Sequence, residues 1–238
     1  MPNFETAQAL LASAAQVSSG AGASVDLGTR DRLLRQTLAV TVATGTADVR
    51  LEASADGASW KTFASFARAS AIGSERITAV SPERFVRVAW TLGAGAAFTF
   101  AVSGTRGVCY ANLDDLDAHG LPAAALSGIS PSKRAEALAA ASSDADGKLG
   151  VVFDLPLLSW GTDLTKCVCK IAAYELLSTR GFNPDGADAN VRDRHNDAWR
   201  WLREVADLTV VPTGIVDSTA DVDDSGVAVS TTLRRGWR

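Results

Sequence analysis

The spacing of apolar side chains changes once along this chain of 238 residues, and that change limits what the chain can fold into. Between residues 24 and 107 the period is two. Leu38, Val40 and Val42 alternate with Thr37, Ala39 and Thr41, and Val49, Leu51 and Ala53 alternate with Arg50, Glu52 and Ser54. Val86, Val88, Trp90 and Leu92 share one face, and Phe98, Phe100 and Val102 share another. Alternation of this kind predicts strands with one face on a core and one in water. The segments are separated by Gly45-Thr46-Ala47, Asp56-Gly57, Ser81-Pro82 and Gly93-Ala94-Gly95, and short strands punctuated by such turns predict an antiparallel β-sandwich.

After Gly107 the period becomes helical. Ser130-Pro131 pairs an N-cap residue with a proline at the first helical position, and Leu138, Ala141, Ala145 and Leu149 follow at helical spacing. A second helix starts near Thr162-Asp163 and places Leu164, Val168, Ile171 and Ala172 on one face, widened by Cys167, Leu176 and Leu177. Gly181 is its expected C-terminal cap. The loop FNPDGAD leads to a third helix whose stripe is Val191, His195, Ala198, Leu202 and Val205, flanked by Trp199 and Trp201. The fold class expected is therefore α+β in two domains: a jelly-roll or immunoglobulin-like sandwich, then a small antiparallel helical bundle with an extended C-terminal tail. The divisions fall at 1–23, a short helix over 5–17 with the joint SSGAGAS; 24–108, the sandwich; 109–212, the helical domain; and 213–238, the tail. That tail has β-branched residues in short runs, an acidic middle and a basic-aromatic end. It is too short and polar to fold alone, so it is expected to be disordered or to wait for a partner.

Charge narrows the function. The formal net charge is −4, which argues against a general nucleic-acid binder. Residues 109–212 hold 10 Lys/Arg against 15 Asp/Glu and are the acidic part, whereas residues 1–108 hold 10 against 8. Three cysteines do not form a disulfide framework, which points to a reducing compartment. Cys167 and Cys169, two apart on a helix, diverge by about 200° and read as small core residues rather than metal ligands. No apolar run approaches the roughly 20 residues of a membrane span, and the N-terminus lacks the basic start of a signal peptide.

Chemistry is sparse. His195 lies in its helix's apolar stripe, where a hydrogen-bonded core histidine is the expectation, and His119 precedes Gly120 in a predicted loop with no catalytic partner nearby. No serine sits in a G-x-S-x-G elbow, and the glycine runs at 20–22 and 93–95 lack a P-loop lysine. Asp144-Ala-Asp146-Gly147 and Asp221, Asp223, Ser225 and Gly226 imitate the start of calcium loops, but position twelve is Leu155 in one and Thr232 in the other, so both read as solvated loops. Asp114-Asp115 has no apolar pocket to split its pKa values. No catalytic residue, cofactor site or metal site is expected, and the chain is not read as an enzyme.

Two resemblances add to this. SADGASWKTF (54–63) and ERFVRVAW (83–90) resemble the small sandwich modules appended to phage structural proteins. There, Trp60 is a candidate carbohydrate platform, with Trp90 beside it, or a core and rim packing residue. The helical region from 109 to 212 resembles the head–tail connector, or adaptor, proteins of tailed phages, in the Mu-like branch. The elements that carry it are Tyr110-Ala-Asn-Leu-Asp-Asp-Leu116, then Phe153 with Pro156-Leu157, then Leu164 to Leu177 with Ile171-Ala-Ala-Tyr174-Glu-Leu-Leu, and finally Val191 to Ala206 with Ala198, Trp199 and Leu202. Val152-Phe153 replaces the family's usual Arg-Tyr pair, and Asp207-Leu-Thr stands where a glycine usually follows the last helix.

The resemblance implies a virion neck component, assembled in the host cytoplasm. It implies a homo-oligomeric ring of twelve copies that docks on the portal protein and meets the tail or a stopper or tail-terminator protein, with DNA passing through unbound. Negative walls suit such a passage because they repel phosphate. Leu233, Arg234, Arg235, Trp237 and Arg238 are the candidate portal-docking residues. Phe153, Pro156, Leu157 and Trp160 are candidates for packing between subunits, while the alternative keeps Val151 to Leu158 in the subunit's own core. A carbohydrate-binding, receptor-binding or capsid-decorating sandwich is the rival function.

Overall fold

The structure is a computed structural model that describes residues 5–28, 31–180 and 189–218. It is α+β, with antiparallel sheets followed by helices. The chain divides into two compact units: Glu5–Cys109 with Ser130–Glu136, and the remainder from Tyr110 onward.

Among its described residues the first unit holds nine strands: β1 (Thr6–Gln16), β2 (Gly20–Ala21), β3 (Val25–Asp26), β4 (Arg32–Thr44), β5 (Ala47–Ser54), β6 (Lys61–Ser65), β7 (Gly73–Ser81), β8 (Phe85–Leu92) and β9 (Ala97–Val108). One sheet has the order β1-β9-β4-β7 and the other β2-β8-β5-β6, with β3 also on β8. Leu38, Val40, Val49, Leu51, Val86, Val88, Trp90, Phe98, Phe100 and Val102 fill one core, as their alternation predicts. Asp56 makes the predicted turn by accepting from the Ala58 and Ser59 N–H groups, with Gly57 at φ 72°.

Val42 departs from its pattern and is half exposed, at 50%. The register between β4 and β9 shifts between Val40 and Val42, so Thr41 is the extra residue of a bulge and every side chain after it changes face. Ala43 takes the inward position against the core.

The helix expected over 5–17 is instead strand β1, antiparallel to β9 from Thr6↔Arg106 to Gln16↔Phe98. Alanine and leucine favour helices, but a helix here would forfeit the backbone pairing that β9 offers, and tertiary pairing overrides a weak local preference. The joint expected at 18–24 also pairs: β2 lies on Trp90 and Ala89 of β8, and Ser18 O accepts from Trp90 Nε1 at 2.9 Å. Gly20 fits closely there, since a Cβ would come 3.2 Å from the Trp90 ring, tighter than an ordinary contact. Trp90 is therefore buried, with its ring edge-on to Phe100 at 5.7 Å. Trp60 is half-buried, with the Arg87 guanidinium 4.3 Å over its ring. An open aromatic platform built on the two tryptophans is thus corrected to core and rim packing.

The opening turns of the long helix belong to this same unit. Lys133 N–H donates to Ser130 Oγ, the predicted N-cap, and the Ser132 hydroxyl accepts from Thr78 N–H at 3.1 Å. Glu136 bonds Arg35 of β4 and the Thr78 hydroxyl of β7.

The second unit contains the short helix α1 (Leu113–Asp115), which runs into a π-helical turn (Leu116–Gly120), and the helices α2 (Pro131–Leu149) from Ala137, α3 (Thr162–Arg180) and α4 (Ala189–Ala206). The predicted faces are the buried ones: Leu138, Ala141, Ala145 and Leu149 on α2; Leu164, Val168, Ile171, Ala172 and Leu176 on α3; Ala198, Leu202 and Val205 on α4. Val191 and His195 stay half-buried at the edge of their stripe. Gly181 and the following loop lie outside the described residues. Among the described residues, no helix is long and apolar enough to cross a membrane.

Candidate interaction surface of the helical unit

Tyr110 enters this unit from β9 and organises it. Its side chain is 1% exposed, and its hydroxyl donates to the carboxylate of Asp146 on α2. Its N–H donates to Ser142 Oγ at 3.1 Å, and that hydroxyl in turn donates to Leu138 O. Its carbonyl accepts from Trp160 Nε1 at 3.1 Å and from the Thr165 hydroxyl of α3 at 3.0 Å. The Trp160 ring stands edge-on to the Tyr110 ring at 5.0 Å. One buried residue therefore ties α2, the linker after it and α3 together. The sequence signal for Ser142 and Asp146, not used above, is a pair of polar residues four apart on an otherwise apolar helix face, a placement that needs a buried partner. Asp146 is thus a helical, hydrogen-bonded residue rather than part of a solvated loop. Burial pushes its carboxyl up to about 6, against the lowering effect of the Tyr110 hydroxyl.

The residues that follow Tyr110 form a capped turn. Asn112 caps α1 by accepting from Asp115 N–H at 3.0 Å, and Asp115 accepts from Asn112 N–H at 3.0 Å, a reciprocal capping box that leaves Leu116 fully buried.

In the linker 150–161, Leu157 is buried and the half-buried Trp160 packs its ring on Tyr110. Phe153 and Pro156 are half-buried, the Leu155–Pro156 bond being cis. The large apolar side chains that face out are Val151, at 66%, and Leu158, at 40%.

Residues 213–218, expected to be disordered or to wait for a partner, are docked on this linker. Leu158 N–H donates to Val216 O at 2.8 Å, and Val216 N–H donates to Ser159 O at 3.1 Å. Ser218 N–H reaches Asp154 O at 3.2 Å, the Ser159 hydroxyl reaches Gly214 O, and Thr213 N–H reaches the Asp163 carboxylate at 2.9 Å. Gly161 permits the approach, since a Cβ there would meet Thr213 O at 2.4 Å. The segment supplies bridge partners that only a folded neighbour can show, so period alone did not reveal it. The proposed portal-docking residues Leu233, Arg234, Arg235, Trp237 and Arg238 lie outside the described residues.

Helix α4 closes on the π-helical turn and on α3. Arg194 donates to Gly120 O at 3.1 Å and to His119 O, so His119 contributes its carbonyl. His195 stacks on Tyr174 at 4.1 Å, and its Nε2 accepts from Trp199 Nε1 at 3.0 Å; burial pushes the imidazole below its usual range. An imidazole so engaged is held neutral as a packing group. Cys167 donates to Ala198 O, and burial pushes its thiol up to about 12, which leaves it unreactive. Cys109 and Cys169 are buried and unbridged.

After α4, Leu208 adopts φ 60° while the Leu208 and Thr209 N–H groups close on Val205 O and Glu204 O. This is the left-handed helix cap at which glycine is usual, here filled by a leucine 41% exposed, with Val211 68% exposed just beyond. Leu208→Gly is expected to stabilise the unit by about 1 kcal/mol, and Leu208→Ala to give no comparable gain because alanine keeps the offending Cβ. Urea midpoints of the three proteins check this.

A model of the family described as Bacteriophage Mu, Gp36 matches residues 110–230, just over half of the chain, beginning at the residue that opens the helical unit. No curated protein matches the chain.

Proposed function

The chain belongs to the bacteriophage Mu Gp36 family and is a Mu-like phage structural protein, and from that premise we propose that it works in the virion neck as the adaptor between the DNA-filled head and the tail. Twelve copies would form a ring on the portal protein and present their far side to the tail or to a stopper or tail-terminator protein. The observation that carries the reading is the coincidence of the family match with the helical unit, whose charged groups are predominantly acidic. An acidic lumen lets DNA slide without adhering, because like charge prevents the counterion release on which DNA binding depends. The role requires no catalytic step, and the engaged, half-buried His195 suits a structural part.

The basic-aromatic end, Leu233 to Arg238, is the proposed portal anchor, since Trp and Arg concentrate binding energy at interfaces. A chain ending at Ser218 keeps every described contact of residues 213–218. It is expected to lose portal association in a co-sedimentation assay while keeping the full-length far-ultraviolet spectrum. Undiminished association would remove the anchor from the tail. Imaging of the particle tests the larger reading: helical density ringing the portal's lower rim supports it, and density only on the capsid surface or fibres overturns it.

A further inference from the structure

The sandwich unit has one edge that is unlike its others. β1 ends its sheet, and among the described residues only β9 makes strand pairing with it. Exposed edges are normally blunted by charge, proline or shortness, because their free N–H and C=O groups will pair with any extended chain. The other edges follow that rule: β7 carries Glu75 and Arg76, β6 carries Lys61, and β2 and β3 are two residues each. β1 has eleven residues, and the sequence from Thr6 to Val25 holds no charged residue and no proline. Its two register irregularities lie between Ala9 and Ala14, so Ala14–Gln16 pairs regularly with β9. From Ala12 to Val17 each position is exposed except half-buried Gln16, and Val17 is 78% exposed.

The chain also contains a segment suited to that edge. Residues 226–232, GVAVSTT, are uncharged and β-branched at alternate positions, Val227, Val229 and Thr231. They follow Ser218, which is fixed on Asp154 O, after a tether of seven residues that spans at most about 25 Å. We propose that residues 226–232 of one copy add as a strand to the outer edge of β1, along Ala12–Gln16, in a second copy. Main-chain hydrogen bonds supply the attraction, and the pairing is heterologous, donor segment to acceptor edge, which is the kind of contact that propagates around a ring. Arg234, Arg235, Trp237 and Arg238 lie beyond the pairing segment, so the proposal stands independently of the portal anchor.

The test uses the full-length chain and a chain ending at Ser225, each followed by amide hydrogen exchange from dilute to concentrated solution. Residues 12–16 are expected to exchange at least tenfold more slowly in concentrated full-length protein, with no such slowing in the shorter chain. Equal rates in the two proteins overturn the proposal, as does slowing that persists in the shorter chain, which would show β1 pairing with another β1. Full-length chains carrying Ser13→Cys and Val229→Cys, mixed and oxidised, are expected to cross-link to each other. Cross-linking that occurs only within a doubly substituted chain would assign the pairing to a single copy and overturn the inference.

Discussion

Tyr110→Ala is expected to cost the helical unit about 3–5 kcal/mol, the range for removing a large buried aromatic side chain. The substitution also leaves the Asp146 carboxylate without its donor and takes the ring from beneath Trp160. Domains have only about 5–15 kcal/mol in total, so the helical signal should unfold at far lower urea. A loss under about 1 kcal/mol would refute the organising role given to this residue.

Two milder variants separate packing from charge. Tyr110→Phe keeps the ring and removes the hydroxyl, and about 1–3 kcal/mol should be lost where Asp146 is ionised. Asp146→Asn removes the titration. The folded carboxyl titrates near 6 against an ordinary 3.8, so the folded state holds its proton more tightly. Stability from this group is fully present below about 4 and is lost as the pH rises through about 6, by on the order of 3 kcal/mol. His195, with its affinity for protons depressed by burial, has the opposite sign and gains as the pH rises through the imidazole range. The difference between wild type and Asp146→Asn at pH 5 and pH 7.5 isolates the carboxyl; parallel pH profiles would show that it is not held up by burial.

Truncation gives the second large effect. A chain ending at Pro212 loses, among the described residues, eight hydrogen bonds that hold residues 213–218 on the linker and on Asp163. At about 0.5–1.5 kcal/mol each, the expected loss is about 3 kcal/mol or more, and the linker is left with unpaired backbone groups. A chain ending at Ser218 should keep the stability of the full-length protein within about 0.5 kcal/mol. Equal stability of the two truncated chains would show that residues 213–218 do not support the fold. The comparison also protects the portal assay, because a cut at Pro212 would confuse a weakened fold with a missing anchor.

The apolar period by itself determined the α+β class, the sandwich core from Leu38 to Val102, and the three long helices with their buried faces. These depend on side chains that repeat within one segment, and a segment carries its own period wherever it lies. The Ser130 cap was legible for the same reason, as local chemistry three residues apart. The folded unit decided the rest. β1 is a strand because β9 offers it a row of hydrogen bonds, and Val42 turns outward because one extra residue bulges opposite Thr99. Tyr110 matters because two polar side chains of α2 and two donors from distant segments converge on it. Residues 213–218 belong to the helical unit because the linker at 158–159 is within reach. Each of these depends on a partner remote in sequence, and such a partner is set only when the chain has folded.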